Sequence, residues 1–396
     1  MSAAGRRVLS LSTLYPNPVN PRFGTFVARQ MEALAARGDW DVTVINPIGI
    51  PPLALGRYRQ LLSACVDGVE NGVSLHRPRF TLIPKLGARR NPQAIAGAVL
   101  PLAERLHAAK PFDLVDAQFF YPDGPAAARV ADALGLPLSI KARGADIHYW
   151  GARSWARQAM LAAARQADGL LAVSQALAED MVALGMRREK ISVHYTGLDR
   201  DRFRPLQHPG LRRQLAGELG LSLADDAPLL ASVGALIPRK GQDLVFAALH
   251  ELPQAQLLLV GRGEDEPRLR RLAQRIGVAE RVHFLGAVDH DLLPLILSAA
   301  DAMVLPSASE GLANAWVEAL ACGTPIVICD AGGAREIVTG PAAGRIVERR
   351  PDALAAAVAE TLASPPSPAT VAGHAARFSW ESNAAGLASH YEKIAR

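Results

Sequence analysis

The sequence predicts two doubly wound, Rossmann-like α/β domains, each a parallel sheet covered by helices, facing each other across a cleft. Three observations carry this reading. Short β-rich apolar runs alternate with helical stretches from end to end, the pattern of parallel strands joined by crossover helices. At 396 residues the chain exceeds the size at which one hydrophobic core stops growing. The alternation breaks once, over residues 199–226, where DRDRFRPLQHPGLRRQLAGELGLSLADD is polar and turn-rich. The domain junction is expected there, with a first domain over 1–205 and a second from 206 to 378.

The opening segment MSAAGRRVLSLSTLYPNP has two arginines before an apolar run, as a signal peptide does. The run is short, is interrupted by Ser10, Ser12 and Thr13, and meets Pro16 at once, so it reads as a first strand, Val8–Leu11. Further strands are expected at Val42–Ile45, Leu114–Val115, Leu138–Ile140, Leu170–Val173 and Ile191–His194. In the second half they fall at Leu229–Val233, Leu257–Val260, Val282–Leu285, Met303–Leu305, Pro325–Ile328 and Arg345–Val347. Helices are expected between them at Thr25–Arg37, Gly124–Leu134, Ser154–Ala167, Ala176–Leu184 and Asp243–Leu249. Four more follow at Arg268–Ile276, Asp291–Ala299, Ala313–Ala321 and Pro351–Leu362. Open α/β sheets bind ligand beyond the carboxyl ends of their strands, so the loops at those ends are the places to look.

Apolar residues make up 49% and charged residues 20%, which excludes a disordered chain. No stretch approaches the roughly 18 uninterrupted apolar residues of a membrane-spanning helix, so membrane contact is expected to be peripheral. Three scattered cysteines, Cys65, Cys322 and Cys329, fit neither a disulfide framework nor a zinc site and point to a reducing, cytoplasmic setting. Residues 1–200 carry 24 Lys or Arg against 16 Asp or Glu, whereas the remainder is mildly acidic. A basic half suits a phosphorylated ligand or anionic lipid headgroups, or is simply a solvated arginine-rich surface; nucleic acid fits poorly, because aromatics are only 5% and do not interleave with the cations.

The richest segment is SASEGLANAWVEALACGTPIVICDAGGAREIV, from Ser307 to Val338. A strand ending at Leu305 leads through a loop into a helix from about Ala313, so the amides of Gly311, Leu312 and Ala313 face outward from a positive helix end, an anion site. Glu310 stands at its mouth. Glu318, embedded in AWVEALAC, needs hydroxyls or donors to accept from, and a nucleotide ribose would supply them; the alternative is a structural carboxylate with a buried partner. Upstream, Arg239, Lys240 and Gly241 occupy a loop where a lysine can neutralise charge on a diphosphate leaving group, or simply be solvated. Gly24 follows the first strand at a helix start, where backbone could approach phosphate or merely connect strand to helix. Gly261 and Gly263 resemble the start of a dinucleotide fingerprint, but Glu266 stands where the third glycine belongs. The triplets Asp199-Arg200-Asp201 and Asp289-His290-Asp291 read better as turns and helix caps than as metal ligands.

Assembled, these residues resemble glycosyltransferase family 4, retaining enzymes with the GT-B fold. The carriers are the YPNP opening through Gly38, Ser174 to Pro205, Gly234–Gly241, Val260–Gly263, Phe284–Gly286 and above all Pro306–Val338 with its paired glutamates. The resemblance implies that residues 379–396 form a final helix returning to the first domain. It also implies that Lys240 binds the donor diphosphate, Glu310 the donor sugar, Glu318 the ribose, and the Gly311, Leu312 and Ala313 amides sugar and phosphate. Two departures stand out. Ala235 occupies a position where members often carry arginine, and Arg143 one where they often carry histidine; Arg143 or Arg239 could restore the charge.

The expected function is therefore metal-independent, retaining transfer of a sugar from a UDP- or GDP-sugar to a lipid-linked or polysaccharide acceptor. No cofactor beyond that donor substrate is implied. The setting would be envelope or exopolysaccharide synthesis in the cytoplasm, at the inner face of the plasma membrane, with peripheral contact to anionic lipid. A nucleotide-sugar epimerase of the same fold would turn over donor without acceptor, and a non-catalytic sugar-nucleotide binding protein would release no nucleoside diphosphate.

Overall fold

The computed structural model describes residues 5–84, 86–224 and 226–395. The start of the leader-like segment, Asp225 of the junction stretch and the last residue, Arg396, lie outside the described residues. The chain divides into two compact units, Met1–Gly197 with Trp380–Arg396, and Leu198–Ser379. Residues 198–205, expected with the first domain, group with the second, because Phe203 is buried and lies edge-on to His290 at 5.1 Å, while Arg202 pairs with Asp291 at 3.0 Å. The two chain crossings are side by side. A Cβ on Gly197 would lie 2.1 Å from the Trp380 ring, so the indole packs directly on the glycine backbone.

The first unit contains β1 (Arg6–Leu11), β2 (Trp40–Ile45), β3 (Ile48–Ile50), β4 (Gly68–Glu70), β5 (Val73–His76), β6 (Arg79–Thr81), β7 (Leu114–Ala117), β8 (Leu138–Ala142), β9 (Gly169–Ala172) and β10 (Ile191–Val193). Eight of these form one sheet in the order β10-β9-β8-β7-β1-β2-β5-β4, with β3 and β6 as a separate parallel ribbon. Every pair in the large sheet is parallel except β4 with β5, an antiparallel edge hairpin. Sequence periodicity misses β3 to β6: β4 is exposed at every residue, β3 and β6 are three residues long, and the alternation of β5, VSLH, lasts only four residues, too short to stand out. The helix Asn91–Ala109 also escapes, because Pro101 lies inside it and reads as a breaker.

The second unit contains β11 (Leu229–Val233), β12 (Gln256–Val260), β13 (Val282–Gly286), β14 (Ala302–Leu305), β15 (Ile326–Cys329) and β16 (Gly344–Val347). They form one parallel sheet in the order β13-β12-β11-β14-β15-β16. Every strand expected from sequence is present. The junction stretch is less loop-like than expected, since it holds a helix, Leu211–Leu219, bounded at both ends by left-handed glycines; with only Leu215 fully buried it lacks a strong apolar stripe. All three cysteines are free thiols, Cys322 and Cys329 buried and Cys65 half-buried. No helix among the described residues is long and apolar enough to cross a membrane.

The last helix, Trp380–Ile394, packs into the first unit's core through Leu387, Ala388 and Tyr391 and adds buried polar contacts. The Asn383 carbonyl can only accept, so His194 donates to it from Nε2 at 2.8 Å and its Nδ1 accepts from Lys141 Nζ at 2.6 Å. His390 Nε2 lies 3.2 Å from Ser139 Oγ, and burial, with Lys141 nearby, lowers this imidazole to about 4. A base whose folded value is depressed keeps its full stability contribution above the unfolded value of 6.5 and loses it as pH falls toward 4. Wild type should therefore lose on the order of 3 kcal/mol relative to His390→Gln across that window, measured by urea unfolding at several pH values. Asp123, raised to about 7 by burial, acts in the opposite sense in both proteins, so the difference cancels it. Parallel pH profiles for the two proteins would refute the assignment.

Candidate active site

In the second sheet, β11 lies between β12 and β14, and chain order reverses there: β12 and β13 run outward on one side, β14 to β16 on the other. The loops leaving the carboxyl ends of β11 and β14 diverge at this switch point, where open α/β sheets bind ligand. Lys240 lies on the first loop and Glu310 on the second.

The loop after β11 passes through Gly234 and Ala235, makes a short 3-10 turn, Pro238–Lys240, and enters the helix Gln242–Glu251. The loop after β14 runs to the helix Asn314–Ala321, anchored by fully buried Trp316, Val317, Ala319 and Leu320. Ala308 N donates to Arg239 O at 2.8 Å, knitting the loops together. Lys240 Nζ donates to Glu310 Oε1, Arg239 donates to the Ser309 carbonyl, and Arg239 Nη1 stands 3.5 Å from Glu310 Oε2. The pair is substantially buried, with side-chain exposures of 12% for Lys240 and 9% for Glu310. Arg349, just past β16, adds a third cation by donating from Nε to Pro306 O at 2.9 Å. Lys240 and Arg239 together outweigh the single Glu310 carboxylate they hold and leave a net positive charge, the balance an anionic ligand needs.

Glycines set the backbone spacing. Gly332, at φ +52, lies where a Cβ would be 2.2 Å from Glu310 O, and Gly333 N donates to Gly311 O at 2.8 Å. Gly261, at φ +137, would place a Cβ 1.9 Å from Gly234 O. Gly261 and Gly263 thus allow the β11 and β12 loops to touch, with Leu236 N donating to Arg262 O at 3.0 Å, and the partial dinucleotide fingerprint has a packing explanation.

Gly311, Leu312 and Ala313 precede the helix as expected, and no side chain caps it. Glu318 is half-buried on that helix, with His290 Nε2 at 3.6 Å, beyond hydrogen-bond range. The expected cap at Asp289 or Asp291 is corrected: the helix starts at Leu293 with no side-chain cap, Asp289 Oδ1 instead accepts from Asp291 N at 3.1 Å, and Asp291 pairs with Arg202. Asp199 accepts from Arg202 N at 3.1 Å in the expected turn. Among the described residues no three His, Cys, Asp or Glu side chains gather as a metal-ligand set.

Two candidates belong to the first unit. Arg143, after β8, donates to Gln118 O at 2.8 Å and to Gln118 Oε1 at 2.5 Å, lies 4.8 Å from the Phe26 ring centre, and is drawn down to about 10 by burial. Gly24 precedes the helix Thr25–Ala36, and a Cβ there would lie 2.5 Å from the Leu14 carbonyl carbon, so close packing accounts for the glycine. Sequence reasoning overlooked Gln118 and Arg349, and took His290 only as the middle of an Asp-x-Asp triplet. None lies in a spacing pattern of its own; each enters only through strand order or a contact distant in sequence.

Two family models match the chain: Glycosyltransferase Family 4 over residues 23–202 and Glycosyl transferases group 1 over residues 220–378. The chain is 36% identical over 246 residues to a D-inositol 3-phosphate glycosyltransferase of Catenulispora acidiphila, covering 57% of this chain and 56% of that one. It is 36% identical over 200 residues, covering 47% and 51%, to a GDP-mannose-dependent alpha-(1-6)-phosphatidylinositol monomannoside mannosyltransferase of Mycolicibacterium smegmatis. The chain spans about half the length of these curated relatives. Among solved structures, sucrose-phosphate synthase from Thermosynechococcus elongatus superposes with a TM-score of 0.79 at 23% identity, over 98% of this chain and 99% of that one. Anabaena HepE in complex with UDP gives 0.74 at 23% identity, over 98% and 100%. These neighbours have the GT-B fold, and the two models follow one another along the two units: the chain belongs to glycosyltransferase family 4.

Proposed function

We propose that the protein transfers a sugar from a UDP- or GDP-sugar to a lipid-linked or saccharide acceptor with retention at the anomeric carbon. The observation that supports this most is the Lys240–Glu310 pair at the switch point of the second sheet. An ammonium has three donors, so Lys240 can keep Glu310 and still donate to a diphosphate oxygen. Glu310, fixed by Lys240 and Arg239, then presents its carboxylate to the donor sugar, Glu318 to the ribose, and the Gly311, Leu312 and Ala313 amides to sugar and phosphate. The bond from the anomeric carbon to the phosphate oxygen breaks as the acceptor oxygen bonds on the same face, and the acceptor proton passes to the departing phosphate. The cations stabilise the charge growing on that phosphate. Arg143 and Gly24 would serve the acceptor side. The substrates named for the relatives, inositol phosphate and phosphatidylinositol mannoside, favour a polyol or lipid acceptor. The basic first half would suit a setting in the cytoplasm at the inner face of the plasma membrane.

The test is release of nucleoside diphosphate from sugar nucleotides with and without acceptors. Release that requires acceptor supports transfer, whereas donor epimerisation without acceptor, or binding with no release, would refute it. A thermal-shift screen chooses the donor, since a ligand at 100 times its Kd adds about 2.7 kcal/mol of stability. Turnover should persist in excess chelator, because these cations supply the charge that a metal supplies elsewhere. Loss of turnover restored by magnesium or manganese would contradict this.

A further inference from the structure

We propose that the loops at one end of the β3–β6 ribbon form a docking surface for an anionic lipid bilayer. These strands run parallel, and just past their ends Leu82 N donates to Ile50 O at 3.1 Å, so both following loops leave the ribbon at the same end. They expose Leu53 at 78%, Leu55 at 74%, Ile83 at 43% and Leu86 at 86%. One water-facing leucine needs no explanation, but four large apolar side chains on adjoining loops mark an interaction surface.

The charge around them has one sign. Residues 47–66 and 77–103 contain seven Lys or Arg and no Asp or Glu. Arg59, Arg79, Arg89 and Arg90 are exposed, and the acids between the two stretches, Asp67 and Glu70, pair with His76 and Arg77. An aromatic cluster adjoins the second loop, because Tyr121 Oη donates to Ala88 O at 2.5 Å. The Tyr121 ring lies 4.9 Å from Trp150 and 5.6 Å from Trp155. Exposed Tyr149 stands against Trp150, with the Arg153 guanidinium 3.7 Å from the Tyr149 ring centre. The neighbouring acid, Asp180, is paired with His148 at 2.8 Å.

Aliphatic tips, amphipathic aromatics and arginines without acids match the boundary between acyl chains and anionic headgroups. A second copy of the chain would set these arginines against their own kind, which disfavours self-association. These loops give the membrane contact expected from charge a definite place on the first unit, one that does not depend on the sugar-transfer reading.

The test is sedimentation of the full chain with phosphatidylcholine vesicles and with vesicles in which a third of the lipid is phosphatidylglycerol. Binding to the anionic vesicles, weakening as salt rises, is expected. Arg89→Ala with Arg90→Ala should weaken it about thirtyfold. Leu53→Gln, Leu55→Gln and Leu86→Gln together should weaken it by about tenfold or more. Both variants should keep the wild-type melting temperature and donor-induced thermal shift, which separates this outcome from failure of the transfer reading. Equal sedimentation with both vesicle types, or unchanged binding by both variants, would overturn the proposal. So would a lipid-free dimer that the leucine substitutions dissociate.

Discussion

Lys240→Ala is expected to lower kcat by on the order of a hundredfold or more, with a smaller change in donor affinity. The ammonium opposes charge that grows only as the phosphate departs, so its loss falls mainly on the transition state. Glu318→Gln should differ in kind. It keeps the side chain's shape while weakening bonds to ribose hydroxyls that hold equally before and during transfer, so it should chiefly raise the donor KM. Removing Lys240 leaves Glu310, 8% exposed, with Arg239 at 3.5 Å, so the melting temperature and donor-induced thermal shift serve as controls for folding. Steady-state kinetics over donor concentration decide the matter. An intact kcat in Lys240→Ala together with a collapsed kcat in Glu318→Gln would reverse the two roles.

Gly332→Ala is expected to cost a comparable factor in kcat without touching any charged group. The added Cβ would stand 2.2 Å from Glu310 O and 2.6 Å from Gly311 O, so the loop must move. Displacing a positioned group by about 1 Å can cost roughly a hundredfold in rate. The φ of +52 adds about 1 kcal/mol of strain for any residue with a side chain. Gly373→Ala is the matched control, because nothing lies within 4 Å of a Cβ there, and its activity should equal wild type. Wild-type kcat in Gly332→Ala would show that the Glu310 loop tolerates displacement and has no fixed catalytic geometry.

Much of the site was legible because its residues flank strong local signals. Leu229–Val233 and Met303–Leu305 are short β-rich runs each followed by a turn and a helix, which places Lys240 and Glu310 at strand ends from local sequence alone. Their contact could not. They are 70 residues apart, and nothing local says that β14 pairs with β11 rather than with β13. Arg349 is likewise one arginine among many until β16 takes its place at the sheet edge. Glycine patterns pointed to the right loops but not to their purpose: Gly261 and Gly263 read only as an incomplete dinucleotide fingerprint, and the structure shows that they allow two backbones to meet.

By itself, the amino-acid sequence determined the alternation of strand and helix, the charge asymmetry and the loops that carry the candidate chemistry. Those properties arise from side-chain periodicity and composition over a few residues. Tertiary structure decided the pairing of Lys240 with Glu310, the transfer of residues 198–205 to the second unit, and the convergence of exposed leucines beside arginines at one end of a ribbon. Each depends on which distant strands become neighbours. Strand order is selected by burial of whole faces against one another, a property of the assembled core that no local window of sequence contains.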